Sequence, residues 1–106
     1  MTTVISLRAY REIREIFVYI AQDNPSAAER VRDRVYEVID HLARHPKSGH
    51  LTMQPGVRSF PLGNYPYVVL YRYRERRREV RILHVLHGAR RRPALREDAA
   101  EFRWQA

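Results

Sequence analysis

The side chains able to carry chemistry in this 106-residue chain are histidine, tyrosine, arginine and the carboxylates, because cysteine is absent. That removes a disulfide framework, a thiolate nucleophile and a cysteine zinc site together. The most suggestive histidines are His84 and His87, three apart in an apolar run. On a regular strand that spacing sends them to opposite faces, so they would not share a metal. His84, inside the run, reads as a hydrogen-bonded core histidine, whereas His87, beside Gly88, is the better functional candidate. His41 and His45 stand four apart at the end of a helical pattern. Zinc accepts that spacing, but the glutamate of a metalloprotease helix is missing, and a helix C-terminus favours cationic groups without any metal.

Arginine dominates the charge. The formal net charge is +8, and nineteen of the twenty basic residues are Arg, Lys47 being the exception. Residues 1–53 hold eight basic against seven acidic residues, whereas residues 54–106 hold twelve Arg against five acids. Guanidinium suits planar, bidentate contact with phosphate or carboxylate. The partner classes that follow are nucleic acid and an acidic protein surface; an Arg-rich codon bias with a merely solvated face is the plain alternative. Arg90, Arg91 and Arg92 adjoin His87 and are the favoured contact group, while Arg76, Arg77 and Arg78 read as a solvated hairpin tip. Arg58 would either touch a target or phosphate, or pair with an acid across a sheet.

Those residues need elements to position them. Val4 and Ile5 open as a short strand, and Ser6 is placed to cap the helix that follows. Tyr10, Ile13, Ile16, Phe17 and Ile20 form the apolar stripe of that helix. Asn24-Pro25 breaks it, with Asn24 as the next N-cap and Pro25 at the first helical position; Ser26 with Glu29 offers a competing capping box. Ala28, Val31, Val35, Val38, Ile39 and Leu42 line a second helix that ends near His45. Beyond Gly49 the period changes to two. Residues 57–62 form a strand that Pro61 marks as an edge or an end. In residues 67–73, Tyr67, Val69, Tyr71 and Tyr73 share one face, which reads as core packed on the helices rather than a base-stacking platform. In residues 79–87, Val80, Ile82, His84 and Leu86 share one face, with Leu83 and Val85 on the other.

The expectation is therefore a single α+β domain in the order β-α-α-β-β-β, a helical hairpin packed on a small, mainly antiparallel sheet. Arg8, Arg11, Glu12, Arg14 and Glu15 interrupt the early apolar residues, and no run approaches the ~18 apolar residues of a membrane span. A soluble, cytoplasmic protein without membrane association is expected.

Five segments, YIAQDNPSAAERV (19–31), LARHPKSG (42–49), GVRSFPLGNY (56–65), VVLYRY (68–73) and ILHVLHGARR (82–91), occur here in an order and spacing that resemble the ParE/RelE toxin superfamily. The resemblance spans roughly residues 4–92. It implies a toxin domain over 1–92, in a type II toxin–antitoxin, plasmid-stabilisation setting, with residues 93–106 as a C-terminal extension. RelE-like members cut mRNA in the ribosome, and ParE-like members trap DNA gyrase without cleaving anything themselves. Against the RelE pattern, Val68 stands near where those proteins place an Arg, and the Tyr or His they carry just after the Arg that follows the last strand is missing from Arg91, Arg92, Pro93, Ala94 and Leu95. The wording of GVRSFPLGNY and LHGARR is similar to ParE-like sequences. The ParE-like reading implies no catalytic residues and no cofactor. It gives a target-binding set of Arg58, His87, Arg90, Arg91, Arg92 and Trp104, the last because the C-terminal end of such proteins is tied to toxicity. Its partners would be DNA gyrase, nucleic acid through that target, and a ParD-like antitoxin in a hetero-oligomer. Two alternatives stay open: a ribosome-dependent endoribonuclease using His87, Arg58 and Arg90, with Tyr65 as a further proton carrier, and a non-toxic basic module that binds nucleic acid.

Overall fold

A computed structural model describes residues 1–88 of the chain. Arg90, Arg91, Arg92, Trp104 and the extension 93–106 lie outside the described residues. Strand β1 (Thr2–Ile5) leads into helices α1 (Leu7–Ala21) and α2 (Pro25–Arg44). Strands β2 (His50–Leu51), β3 (Val57–Pro61), β4 (Tyr67–Arg74) and β5 (Glu79–His87) follow, with a 3-10 turn at Glu75–Arg77 between the last two. The five strands form one sheet in the order β1-β5-β4-β3-β2. β1 runs parallel to β5, and every other pairing is antiparallel. Both helices pack on one face. This is the expected α+β architecture, with the two-residue strand β2 as an addition.

Both helix starts form as their side chains dictate. The Ser6 hydroxyl accepts from the Ala9 N–H at 3.1 Å, and Asn24 Oδ1 accepts from the Ala27 N–H at 3.1 Å, so Asn24 and not Ser26 caps α2. The apolar face of α2 is buried as its spacing requires. That of α1 is rotated from the expected stripe: Ala9 and Ile13 are buried, Ile16 and Ile20 pack beside them, and Tyr10 is exposed. Fully buried Ala9 lets α1 sit close to the sheet, which turns its neighbour Tyr10 outward. No described helix is long and apolar enough to cross a membrane.

Tyr71 joins the core to a loop. Its ring is fully buried, its hydroxyl donates to the Pro46 carbonyl at 2.8 Å, and it accepts from the Gly49 N–H at 2.9 Å. Glycine is required at 49, because a Cβ there would lie 2.6 Å from the Tyr71 Oη and 2.9 Å from the Ser59 carbonyl oxygen. Tyr67 and Tyr73 pack partly buried against the same helix-side core, as expected of a packed aromatic ladder.

The expected alternation fails in β5. Leu70 faces His84 but Tyr71 faces Ile82, which leaves Leu83 as an extra residue, a β-bulge. Val80 and Ile82 lie in the helix-side core before the bulge and Val85 after it, while Leu83 and Leu86 join Val57, Val68 and Leu70 in a second cluster. The one-residue slip reverses which positions face the helices. His87 is thereby turned toward the helix side, and His84 also reaches α1, so the two histidines do not diverge as a regular strand would require.

Candidate functional site

Past Ile5, β1 leaves the β5 edge, and α1 supplies what the missing strand would have bonded. The Ser6 N–H donates to the Ile82 carbonyl at 3.0 Å, and the Ser6 hydroxyl donates to the Leu83 carbonyl at 3.0 Å. Nearly two turns further along α1, Glu12 Oε1 accepts from the Val85 N–H at 3.1 Å. Both oxygens of the same carboxylate lie 3.1 Å from the buried His84 Nδ1. His84 is thus the hydrogen-bonded core histidine its position suggested. Glu12, which the sequence marked only as a polar helix position, fixes α1 against the bulge.

This arrangement opens a groove of about 650 Å³ between α1 and the ends of β4 and β5. Glu12, Glu15, Ile16 and Tyr19 form one wall, and Tyr67, Val85, Leu86 and His87 the other. Tyr67 and His87 are cross-strand partners, and their rings meet edge to face at 5.6 Å and 78°. Burial, reinforced by Tyr19, pushes the Tyr67 phenol above its ordinary value of 10.0, so it stays a neutral donor. Glu15 and Tyr19 are exposed at the rim. The described lining carries two carboxylates, three aromatic rings and no Arg or Lys. Such a wall favours a basic side chain, through ion pairing and cation–π contact, and opposes a phosphate.

Arg58 lies elsewhere. Its guanidinium donates to the Gly49 carbonyl at 2.9 Å and the Lys47 carbonyl at 3.3 Å, so it braces the α2–β2 loop beside Tyr71, and among the described residues it pairs with no acid. Arg58 is opposite Tyr71 on β4, whereas His87 is opposite Tyr67. Four residues along β4 place these positions about 14 Å apart, with two strand spacings, about 10 Å, added across the sheet. The described residues therefore do not bring Arg58 and His87 together, and Arg90 is outside them. Tyr65 packs partly buried against the helix-side core. The His41 ring lies 4.9 Å from that of His45 and 5.1 Å from Phe60, a packing contact at the foot of α2. Among the described residues no group of three or more His, Asp or Glu is placed to hold a metal ion.

A two-helix layer on a five-stranded sheet with a parallel first strand defines a fold shared with a chain of the chromosomal ParDE toxin–antitoxin system from P. aeruginosa. The TM-score is 0.70 at 21% identity, over 82% of this chain and 95% of that one. The family model of the ParE toxin of type II toxin–antitoxin systems matches residues 4–92, and the chain belongs to that family. Two relatives are similar in sequence. Y4kP of Sinorhizobium fredii, a toxin candidate by name, is 40% identical over 78% of this chain and 83% of its own length. Toxin RelE1 of Caulobacter vibrioides is 30% identical over 82% of this chain and 92% of its own.

Proposed function

We propose that this protein, as a type II toxin, inhibits DNA gyrase by binding it, performs no catalysis itself, and is silenced by a ParD-like antitoxin. The observation that carries the reading is the composition of the groove beside His87. Exposed Glu15, the negative charge of the committed Glu12 and three aromatic rings receive a basic side chain of a protein surface better than a scissile RNA phosphate. Ribonuclease chemistry by 2′-hydroxyl attack asks for cations on that phosphate within reach of the proton carrier; among the described residues Arg58, the candidate clamp, is engaged with carbonyls well away from His87.

The antitoxin has its own surface. Leu7, Tyr10, Arg11, Arg14 and Val18 recur at helical spacing along the exposed face of α1. Apolar side chains alternating with guanidinium groups suit an acidic, amphipathic segment that orders as it binds. The groove and this stripe adjoin along α1, so an antitoxin seated on the stripe would obstruct the target groove. This reading sets the protein to work in the cytoplasm, in a toxin–antitoxin hetero-oligomer, where it would serve stabilisation of a plasmid or chromosomal locus.

The second reading, a ribosome-dependent endoribonuclease, is favoured by the likeness to a relative named RelE1. Induction of the toxin without antitoxin separates the two. The gyrase reading expects trapped gyrase–DNA cleavage complexes and a DNA-damage response. Growth arrest with intact supercoiling and codon-phased cuts in mRNA would overturn it.

A further inference from the structure

The far end of the β4–β5 hairpin has the opposite chemistry to the groove. Residues 72–81 hold six arginines and two glutamates. Both carboxylates are already engaged: Glu75 lies 3.4 Å from the Lys47 ammonium, and Glu79 lies 3.2 Å from the Arg81 guanidinium. Among the described residues no carboxylate forms an ion pair with Arg72, Arg74, Arg76, Arg77 or Arg78. The register makes the crowding worse, since Arg72 sits directly opposite Arg81 across the two strands, an arrangement in which like charges repel. Tyr71 and Tyr73 face the helices, so the intervening Arg72 and the following Arg74 project from the opposite face of the sheet. Burial and the nearby Arg74 push Arg72 below the usual guanidinium range. At the tip Arg78 adopts the left-handed region, with φ of 50°, where Gly or Asn fits with less strain. The crowded guanidiniums concentrate positive charge at an electrostatic disadvantage that a bound polyanion would relieve.

We propose that this arginine hairpin is a second binding site, and that it takes the phosphodiester backbone of duplex nucleic acid without reading its sequence. Charge density selects that class of ligand. A duplex presents a negative charge about every 1.7 Å of its axis, whereas carboxylates along a peptide are more widely and irregularly spaced. The hairpin has room to reach it, because β3 pairs with β4 only as far as Arg72 and the tip extends beyond. Insertion into a groove is not the mode, since β1 flanks β5 to the end, where the Thr2 N–H donates to the Arg78 carbonyl at 2.9 Å. The hairpin lies across the backbone, with Arg76, Arg77 and Arg78 exposed at its tip. The site stands whether or not gyrase is the target, and its test contains no gyrase.

The test uses the full chain and a fluorescent duplex DNA of arbitrary sequence, titrated over a range of salt. The triple variant Arg76→Ser, Arg77→Ser, Arg78→Gly changes only exposed tip positions, and glycine suits the backbone at 78. Its affinity is expected to fall by about ten-fold or more at moderate salt, and its salt slope by roughly 2 to 3, one contact per lost arginine. Replacing the same three by Lys should restore most of the binding and the slope. Duplex RNA in place of DNA should show the same loss, because the shared phosphodiester is what is recognised. The proposal is overturned if the triple variant binds like the parent with an unchanged slope, or if Arg90→Ser, Arg91→Ser, Arg92→Ser alone abolishes binding. Equal or tighter binding to a polyglutamate peptide would likewise overturn it, in favour of an acidic protein ligand.

Discussion

The two ends of the β4–β5 hairpin are built from the same pair of strands and carry opposite chemistry. At one end Tyr67 faces His87, and α1 adds Glu12 and Glu15. At the other, Arg72 faces Arg81, and the turn adds Arg76, Arg77 and Arg78. Between them lies a fully buried stretch that includes Val69, Leu70, Tyr71 and Ile82. Charge is placed where the core can spare it. At the groove end a carboxylate is absorbed into the backbone hydrogen-bonding of the β5 edge, whereas at the tip six guanidiniums stand beside two carboxylates, one held by Lys47 and the other by Arg81. The groove end is therefore structurally committed through Glu12 and available through Glu15 and Tyr19. The tip is available almost throughout.

Substitutions that sharpen this contrast run from the shared middle outward. Tyr71→Ala empties a fully buried site and removes two hydrogen bonds, and should destabilise by about 3–5 kcal/mol in denaturant unfolding. Tyr71→Phe keeps the volume but strands the Gly49 N–H, and should lose about 1–3 kcal/mol. Glu12→Ala should follow at about 1–3 kcal/mol, because the Val85 N–H and the buried His84 both lose their acceptor. Local amide exchange at Val85 should rise more than exchange in β3, and equal rises in both strands would deny Glu12 its local role. Ser6→Ala should cost about 0.5–2 kcal/mol through the lost cap. Paired Glu15→Ala and Tyr19→Ala changes should alter stability by less than about 0.5 kcal/mol, and the tip triple variant, which relieves charge crowding and the positive φ at 78, should not lower it. A large loss of stability from either set would break the division between committed and available residues.

A pH series provides a finer check on the middle. Burial raises Tyr71 above the ordinary 10.0, and the Gly49 N–H, Arg58 and Ser48 only partly oppose it. A tyrosine that ionises later when folded leaves stability untouched below pH ~10 and withdraws it as pH rises beyond, since the unfolded chain releases its proton first. Alkaline unfolding should accordingly be less steep in Tyr71→Phe than in the parent, relative to their stabilities at neutral pH. An unchanged steepness would mean that Tyr71 does not carry the alkaline sensitivity.

The fold was legible where signals are local. Asn24-Pro25 and Ser6 act within three residues, and both caps form as their chemistry requires. The ladder of Tyr67, Tyr71 and Tyr73 alternates cleanly and packs as alternation demands. The bulge at Leu83 was not legible, because residues 82–86 are apolar or buried on both faces and alternation there does not distinguish one register from another. The groove escaped for the same reason, together with sequence distance. Glu12 and His84 meet across 72 positions, and nothing in a charged helix turn announces which carboxylate will point inward. Arg58 illustrates a different limit, since a guanidinium that braces a loop through backbone carbonyls leaves no trace in the pattern of acidic residues. The face assignments in β5 and the rotation of α1 around Tyr10 also departed from expectation, and they follow from the one-residue slip in β5 and from close packing at Ala9.

Whether the His87 groove engages a protein target and does not cleave RNA is decided with purified components. Full-length protein is added to purified DNA gyrase and supercoiled plasmid, and cleaved-DNA complexes are measured for the parent and for the Glu15→Arg, Tyr19→Ala variant. Cleavage complexes should accumulate with the parent and fall at least roughly ten-fold with the groove variant, about 1.4 kcal/mol of target affinity. No effect of the parent on gyrase, together with codon-phased cleavage of mRNA on translating ribosomes that the groove variant retains, would contradict the gyrase reading.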